Sequence, residues 1–342
     1  MALFRRKPKG PVIRRTVLNM HWDTEDPFTF ASHHEDDYPH GNAQLALPLD
    51  EIRGRDLGRD YEKRLGFRMY HGKVVPGFPA HAHWGYETVT LPETGYVDHF
   101  DSLGNQGRFG FGDVQWVCAP SRYTHDEMYP LVDQEGRNPN DITQIMVNLP
   151  LEMKGGPCAV NDVWRGDVPS VTGDGYEVRV LCGSFGGSPT MTSPSPVSWT
   201  HEPSHAVRIL RISMEPGAEV VLDATSGRAN RNLYNVSGDG YTVDGIGVPG
   251  ESRVKAVADA DLRIVNGDEP TVLWVLEGVP IGQRMESYGP VVLGSTDEVR
   301  AAMQDIRTDQ FKDWDWDVID KAQPVDAGRF IRYADGTEER PS

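Results

Sequence analysis

Two short histidine motifs lie in the N-terminal half of the chain. His81 and His83 are separated by one alanine, and His125 and Glu127 are separated by Asp126. In a β-strand, residues i and i+2 project from the same face, so each pair presents two side chains to one side while Asp126 points to the other. Three imidazole nitrogens and one carboxylate oxygen are a complete set of protein ligands for a first-row divalent metal. The spacing predicts a mononuclear metal site between two strands.

A further carboxylate leaves the identity of the oxygen ligand open. Glu87 follows His83 by four residues on what reads as one strand, so the period of two places both on the same face. Either Glu87 or Glu127 can be the oxygen ligand, and the other can be a general base or a partner that orients a ligand. A barrel that binds no metal is the remaining alternative, because a lone His-x-His pair is common.

The segments around these motifs are short, apolar and rich in β-branched and aromatic residues. They end at clusters of glycine, proline and asparagine, as the strands of an antiparallel sandwich or barrel do. The clearest candidate strands are residues 67–71, 87–91, 96–100, 114–118, 142–149, 207–214, 218–222, 262–265 and 271–276. Residues 21–60 read as irregular because polar runs and turn residues fill them. These patterns predict an all-β protein.

One helix is predicted near the C-terminus. Ser295 and Glu298 form a capping box, and apolar residues follow at helical spacing: Val299, Met303 and Ile306. The residues after Asp313 are expected to form an extended tail.

A change in composition predicts one domain boundary. Residues 183–203 are rich in Gly, Ser, Pro and Thr, which is typical of a linker or a long surface crossing. We therefore expect an N-terminal metal-binding domain at residues 1–185. The C-terminal domain, at residues 186–342, is expected to lack metal ligands because no histidine follows His205.

The composition excludes several classes of protein. The chain has 34 Lys and Arg against 51 Asp and Glu, a net charge of −17, so direct binding of nucleic acid is not expected. No apolar run is long enough for a helical membrane span. Three widely spaced cysteines are no disulfide framework, which favours the cytoplasm. A basic run without a following apolar stretch is expected to be a solvated N-terminus and no secretory signal: Arg5, Arg6, Lys7, Lys9, Arg14 and Arg15.

Five ordered motifs resemble the pirin family of bicupins. They are GFPAHAHWGYETVT, DHFDSLGNQG, GDVQW, THDEM and QIMVNLP within residues 72–150, with a weaker match in SYGPVVLGSTDEVRAAM. The resemblance implies two tandem cupin (jelly-roll-like) β-barrels with one mononuclear iron, held in the N-terminal barrel only. It implies four metal ligands: His81, His83, His125 and Glu127. Glu87 remains the second choice for the carboxylate ligand. The chain departs from the family pattern at Ala82, Trp84, Pro120, Arg122 and Asp126, where pirins usually have Pro, Arg, Gly, Gly and Ser.

The resemblance also implies an activity. An octahedral ion with four protein ligands keeps two open positions, which can hold an oxygen of the substrate and dioxygen. The implied reaction is 2,3-dioxygenation of a flavonol such as quercetin, or of a related enol or phenol, with Glu127 or Glu87 taking the hydroxyl proton. Fe(II) is the implied metal, with Mn, Ni, Co or Zn as alternatives. The other implied function is a non-enzymatic, redox-sensing iron protein that acts through a protein partner.

Overall fold

The structure is a computed structural model that describes residues 10–188, 190–191 and 198–342. Contacts divide these residues into two compact units. The first unit joins Ser32–Asp167 to Gln283–Ser342, and the second joins the described residues up to Ala31 to the described part of Val168–Gly282. Each unit therefore includes a segment from the opposite end of the sequence, whereas the boundary expected at residue 185 divides the chain only once.

Strands dominate the regular structure, which confirms the all-β prediction. The first twelve are β1 (Val12–Val17), β2 (Phe28–Tyr38), β3 (Gly77–His83), β4 (Tyr86–Thr94), β5 (Tyr96–Asp101), β6 (Gln106–Gly110), β7 (Val114–Ala119), β8 (Tyr123–Met128), β9 (Asn138–Asn148), β10 (Ala159–Val163), β11 (Ser170–Gly173) and β12 (Tyr176–Cys182). They are followed by β13 (Arg208–Met214), β14 (Glu219–Leu222), β15 (Asn230–Ser237), β16 (Gly240–Val243), β17 (Ile246–Pro249), β18 (Ser252–Ala256), β19 (Leu262–Asn266), β20 (Thr271–Gly278), β21 (Glu286–Tyr288), β22 (Val291–Leu293), β23 (Phe330–Arg332) and β24 (Glu338–Glu339). The helix α1 spans Thr296–Thr308, and short 3₁₀ turns lie at Leu151–Met153, Arg165–Asp167, Trp199–His201 and Pro203–His205.

The first unit is built on two antiparallel sheets. One has five strands in the order β10-β7-β4-β9-β2, and the other has six in the order β24-β23-β6-β5-β8-β3. Every residue of β7 and of β8 is buried, so both faces of these strands are covered. On β8, the covered faces carry polar side chains such as His125 and Asp126, which burial permits only with partners.

Strand β3 lies at the edge of the six-stranded sheet and pairs with β8 alone. The pairing sets His81 opposite His125, and the register shifts between Phe78 and His81. This irregularity is a β-bulge, which leaves an unpaired residue and re-aims the side chains that follow it.

The second unit has a seven-stranded sheet, β1-β18-β15-β20-β13-β12-β11, and a four-stranded sheet, β14-β19-β16-β17. Its core is aliphatic and includes Val178, Leu210, Leu233, Val254 and Leu273. Alternate side chains of its strands point into this core, as in β14, where Val220 and Leu222 are buried and Glu219 and Val221 are exposed.

The predicted helix is present as α1. Ser295 is its N-cap and accepts a hydrogen bond from the backbone N–H of Glu298 at 3.3 Å, as the capping box predicts. The apolar face of α1 packs through Val299 and Ala302 on Val291, with Trp84 beside them. The tail that follows α1 is largely irregular, but it ends in β23, which pairs with β6.

Three local predictions are wrong. Residues 67–71 form isolated bridges in place of a strand, and the irregular region 21–60 contains the long strand β2. The strand expected to carry both His83 and Glu87 is broken at Trp84 and Gly85. The break has a steric cause, because Gly85 has a φ of +96° and a Cβ there would lie 1.9 Å from the carbonyl oxygen of Val292.

Parts of two sequence-based predictions lie outside the described residues. These are Arg5, Arg6, Lys7 and Lys9 of the basic run, and residues 189 and 192–197 of the expected linker. Arg14 and Arg15 lie on β1. Within the described ranges, no helix has the length and apolar character needed to cross a bilayer.

Candidate metal centre

Strands β3 and β8 bring the four predicted ligands together. One ligand atom from each of His81, His83, His125 and Glu127 lies within 4.8 Å of the others. The Nε2 atoms of His83 and His125 are 2.9 Å apart, and Oε2 of Glu127 is 3.7 Å from the Nε2 atoms of both His81 and His125. The pairing of the two strands creates this cluster because it places His81 directly opposite His125.

Hydrogen bonds on the far side of two rings determine which nitrogen faces the cluster. Nδ1 of His81 lies 3.0 Å from the carbonyl oxygen of Pro79, which only accepts, so Nδ1 carries the proton and Nε2 keeps its lone pair. Nδ1 of His83 lies 2.5 Å from the hydroxyl of Tyr86, which can accept the Nδ1 proton in the same way. Partners of this kind fix the tautomer and orientation of a metal-binding histidine.

Burial keeps the three imidazoles neutral. It lowers the pKa of His81 to about 4, and it lowers the pKa values of His83 and His125 well below 6.5, with the neighbouring imidazoles adding to the effect. Neutral imidazole is the form that binds a metal. At neutral pH each of the three imidazoles therefore has one unprotonated nitrogen, and a metal does not have to displace a proton from an imidazolium.

Glu127 is held by neutral donors from the five-stranded sheet. The side-chain amide of Gln144 donates to Oε1 at 3.0 Å and to Oε2 at 3.2 Å, and the hydroxyl of Thr90 donates to Oε1 at 3.4 Å. Burial raises the pKa of Glu127, and the bond from Gln144 lowers it by a smaller amount. These bonds orient the carboxylate and leave it without a cationic partner of its own.

The donor set fits one divalent cation. Ligand atoms about 2.1 Å from an ion lie roughly 3 Å apart when adjacent and roughly 4 Å apart when opposite. The spacings of 2.9 and 3.7 Å within the cluster fall in this range. Two unprotonated Nε2 atoms facing each other repel, so the arrangement of His83 and His125 needs either a proton or a cation between them. The residues present therefore fit the metal that the sequence predicts.

Solvent reaches the cluster at His81, whose side chain is 30% exposed while Glu127 is 5% exposed. Aromatic rings flank this side. The ring of Phe78 lies 6.1 Å from that of His81, and the rings of Tyr70 and Tyr129 lie 5.2 and 6.3 Å from Phe78. The partly exposed ring of Phe78 thus borders the accessible face of the centre and packs on the buried rings of Tyr70 and Tyr129.

Glu87 lies outside the cluster. It is fully buried on β4, and its Oε2 accepts a hydrogen bond from Nε1 of Trp116 at 2.7 Å. The break at Gly85 moves Glu87 from the sheet of His83 to the five-stranded sheet, so the face expected from a continuous strand does not apply. Its carboxylate is directed to Trp116 on β7 and is not among the atoms gathered around His81.

Sequence reasoning missed the residues that orient the ligands. Tyr86, Thr90 and Gln144 contact His83 and Glu127 from β4 and β9, and no spacing rule links those strands to β3 and β8. His99 of β5 is also buried, with its ring 5.3 Å from that of His125. Its partners are Tyr123 on β8 and Asp101 two residues later on β5.

A second acidic and histidine group lies elsewhere in the first unit. His33, Glu35 and Asp141 also have ligand atoms within 4.8 Å of one another, but Glu35 is exposed. His33 already forms an ion pair with Asp141 at 2.8 Å. In the described part of the second unit no such group of three occurs, and its His205 stacks on Trp199.

Comparisons with known proteins agree with the sequence motifs. A family described as Pirin matches residues 12–147, and one described as Pirin C-terminal cupin domain matches residues 209–312. The human protein "Pirin" is 28% identical over 267 residues, which cover 74% of this chain and 85% of that protein. "Putative quercetin 2,3-dioxygenase PA3240" of Pseudomonas aeruginosa is 30% identical over 239 residues, which cover 68% of this chain and 79% of that protein.

A solved structure resembles the whole fold. The 1.88 Å crystal structure of quercetin 2,3-dioxygenase from Acinetobacter baumannii has a TM-score of 0.68 and 20% sequence identity with this chain. The match covers 88% of this chain and 98% of that one. At this level of identity, the likeness describes the architecture alone.

Proposed function

The chain belongs to the pirin family and carries its two cupin domains, and from this premise we propose that it is a metal-dependent dioxygenase. Its substrates are dioxygen and a flavonol such as quercetin, or a related aromatic enol or phenol. The metal is Fe(II), held in the first unit. The observation that carries this proposal is the convergence of three neutral imidazoles and one carboxylate in a single buried cluster.

His81, His83, His125 and Glu127 would hold the ion. When bound, the metal supplies a Lewis acid for a substrate hydroxyl and a path for electrons to dioxygen. Tyr86 keeps His83 in the required orientation, and Gln144 keeps the carboxylate of Glu127 in place through bonds of 3.0 and 3.2 Å. The burial of His83, His125 and Glu127 limits the contact of their donor atoms with water, while His81 faces solvent.

Glu127 is the proposed base for the hydroxyl proton. Burial raises its pKa, which makes the carboxylate a better proton acceptor than an exposed glutamate. Glu87 is the other candidate from the sequence. Its carboxylate bonds to Trp116 at 2.7 Å and is not among the atoms gathered around His81, whereas Glu127 is, which favours Glu127 for this role.

The surroundings of His81 support an aromatic substrate. Phe78, Tyr70 and Tyr129 form a set of ring contacts next to the ligand with the most exposed side chain. A planar polyphenol can pack on the partly exposed ring of Phe78 while its hydroxyl reaches the centre, and the buried rings of Tyr70 and Tyr129 support Phe78 from behind. The 30% identical relative carries a quercetin dioxygenase name, which agrees with this chemistry.

The test is oxygen consumption by iron-loaded protein on addition of quercetin. The His83→Ala variant is expected to lose the activity because it removes one nitrogen donor. His33→Ala is the matched control, since His33 lies in the same unit but outside the cluster. Equal rates of oxygen consumption for the wild type and His83→Ala would show that the cluster takes no part in the reaction.

Two further variants separate the candidate bases. Glu127→Gln is expected to lose more activity than Glu87→Gln, and the reverse order would assign the proton transfer to Glu87. Iron uptake without any oxygen consumption would contradict the proposed dioxygenase activity. It would favour the alternative function, a redox-sensing regulator that binds a protein partner in its iron-loaded form.

The cytoplasm is the proposed location. Cys118, Cys158 and Cys182 form no disulfide within the described residues, which agrees with a reducing compartment.

A further inference from the structure

Residues 311–323, here called the strap, run across the strands that carry the metal ligands. Trp314 packs with Ala80 of β3 and Phe100 of β5, and the ring of Trp316 lies 4.9 Å from that of Phe100. Nε1 of Trp316 donates to the carbonyl oxygen of Asp101 at 2.8 Å. The strap therefore covers part of the sheet with aromatic packing as well as hydrogen bonds.

Strand β8 uses its two faces for different purposes. Tyr123, His125 and Glu127 alternate on the face of the ligand cluster, so Thr124 and Asp126 project from the opposite face. Both of these contact the strap. Thr124 Oγ1 donates to the two carboxylate oxygens of Asp313 at 2.9 and 3.0 Å.

Asp126 joins β8 to two other segments. Its Oδ1 accepts from the backbone N–H of Phe100 at 2.8 Å, and its Oδ2 accepts from the backbone N–H of Lys321 at 3.1 Å. The side chain has no exposed surface. Because Asp126 lies between His125 and Glu127 in the chain, any shift of its backbone moves both ligands.

The strap also contacts β3 at its bulge. The N–H of Ala80 donates to the carbonyl oxygen of Ile319 at 2.6 Å. Ala80 lies inside the interval where the register of β3 shifts, directly before His81. At this bulge β8 offers no backbone partner to Ala80, and the strap supplies one instead.

Arg122 links the start of the strap to β8. It forms ion pairs with Asp305 of α1 at 2.9 Å and with Asp313 of the strap at 3.1 Å, and its side chain is 7% exposed. It also donates to the carbonyl oxygens of Asp309 and Gln310, at 2.9 and 2.8 Å. The strap is therefore anchored at its beginning by Arg122 and further along by Asp126.

We infer that Asp126 is a positioning residue of the metal centre and that the strap, acting through Asp126, sets the affinity of the four ligands for a divalent cation. This rests on the metal centre of the proposed function and not on its oxidative chemistry. A metal site requires its donor atoms to be held within about 0.5 Å, and the residues that support them commonly change metal affinity by roughly 10–100-fold. The strap provides such support to both ligand strands.

The test compares Asp126→Asn with Asp317→Asn. Asparagine is nearly isosteric, but its amide group faces one of the two N–H donors, so one of the bonds of Asp126 is lost. Asp317 is the matched control because its side chain is 74% exposed and its ion pair is with the side chain of Lys321, while the bond to Asp126 comes from the backbone of Lys321. Cobalt(II) affinity is measured by competition with a chelator, and the visible spectrum of bound cobalt reports the geometry of the centre.

Asp126→Asn is expected to weaken cobalt binding about tenfold and to alter the cobalt spectrum, whereas Asp317→Asn leaves both unchanged. Lys321→Pro provides a second route because proline lacks the N–H that Asp126 accepts, while Asp126 itself is intact. It is expected to reproduce the loss of affinity. If Asp126→Asn does not fold, Lys321→Pro decides the question.

A purely structural role would lower the unfolding temperature without moving the cobalt spectrum or the affinity at a temperature where the variants are folded, and this result would overturn the inference. If Asp126→Asn weakens cobalt binding and Lys321→Pro does not, the strap does not act on the centre through Asp126. If the wild type binds no cobalt, the inference falls together with the metal centre. If it binds cobalt with strap-dependent affinity but the iron form consumes no oxygen, only the proposed function fails.

Discussion

The second unit buries charged groups that satisfy one another, whereas the first unit buries imidazoles whose nitrogens face one another. In the second unit, Nε of Arg231 donates to Glu277 at 2.9 Å, and Arg208 pairs with the same buried carboxylate at 3.9 Å. The first unit has a buried pair of this kind in Arg108 and Asp98, but it also brings the Nε2 atoms of His83 and His125 to 2.9 Å. The ion pairs are complete without a ligand, whereas the imidazole cluster needs a proton or a cation. The ion pairs around Glu277 therefore serve stability, and the imidazole cluster is suited to binding.

Breaking the ion pair in the second unit is expected to have the largest effect on stability. Arg231→Met leaves Glu277 fully buried without its main partner and should lower the free energy of unfolding by about 3–5 kcal/mol. Urea denaturation measures this change. Arg263→Met removes an exposed pair with Glu219 and should lower the free energy of unfolding far less, because solvent screens that pair. Equal losses for the two variants would contradict the distinction, and cobalt affinity should change in neither.

Removing a ligand in the first unit should show the opposite pattern. His125→Ala deletes one nitrogen donor, so metal affinity should fall by more than the roughly 100-fold that supporting residues can account for. Isothermal titration with cobalt measures it. His201→Ala, an exposed histidine of the second unit, should bind as the wild type does. Wild-type affinity in His125→Ala would show that the cation binds elsewhere.

The pH dependence of the metal-free protein gives a third comparison. The folded pKa of His81 is about 4, below its unfolded value of 6.5, so the unfolded state takes up more protons as the pH falls between these values. The free energy of unfolding should therefore decrease from pH 6.5 toward pH 4, by about 1.4 kcal/mol per pH unit for each such histidine. His83 and His125 act in the same direction, and the raised pKa of Glu127 opposes them at the acid end.

Denaturation in urea at pH 7, 6 and 5 measures this slope. The variant His81→Gln should have a smaller slope than the wild type, since it lacks one of the groups concerned. A slope for His81→Gln equal to that of the wild type would contradict the assignment of a neutral, buried imidazole to His81, because the raised pKa values of Asp162 and Asp126 affect both proteins alike.

The smallest effect is expected from a residue that only orients a ligand. Tyr86→Phe removes the hydroxyl 2.5 Å from Nδ1 of His83 and should weaken cobalt binding about tenfold. Tyr234→Phe is the matched control, because it removes a buried tyrosine hydroxyl that donates to Asp23 in the second unit. If both variants bind cobalt equally well, Tyr86 does not orient the centre.

The sequence predicted the four clustered residues because the period of a strand is local. The two residues of His-x-His or His-x-Glu lie on one face of a strand whatever the position of that strand in the sheet. The capping box at Ser295 is equally local. Tyr86 and Gln144 could not be predicted in this way, since their roles depend on how β4 and β9 lie against β3 and β8. Strand β2 was missed because its polar run places His34 and Asp36 inside, where Tyr70 satisfies them.

The break between β3 and β4 could not be predicted for a related reason. It depends on the approach of Val292, more than two hundred residues later, to the backbone of Gly85. The inclusion of a terminal segment of the chain in each unit could not be predicted from the sequence either. Composition marks residues 183–203 as a boundary, but only the pairing of β1 with β18 and of β23 with β6 shows where the ends of the chain are used.

The placement of Gln283–Ser342 in the first unit has a consequence for biosynthesis. A ribosome that adds about 5–20 residues per second finishes Ser32–Asp167 roughly ten to thirty-five seconds before it reaches the end of the chain. During that interval the nascent polypeptide already contains every donor atom of the cluster, but lacks the segment that completes the unit around them. The first unit is thus completed only after residues 283–342 have been synthesised, later than the four donor side chains themselves.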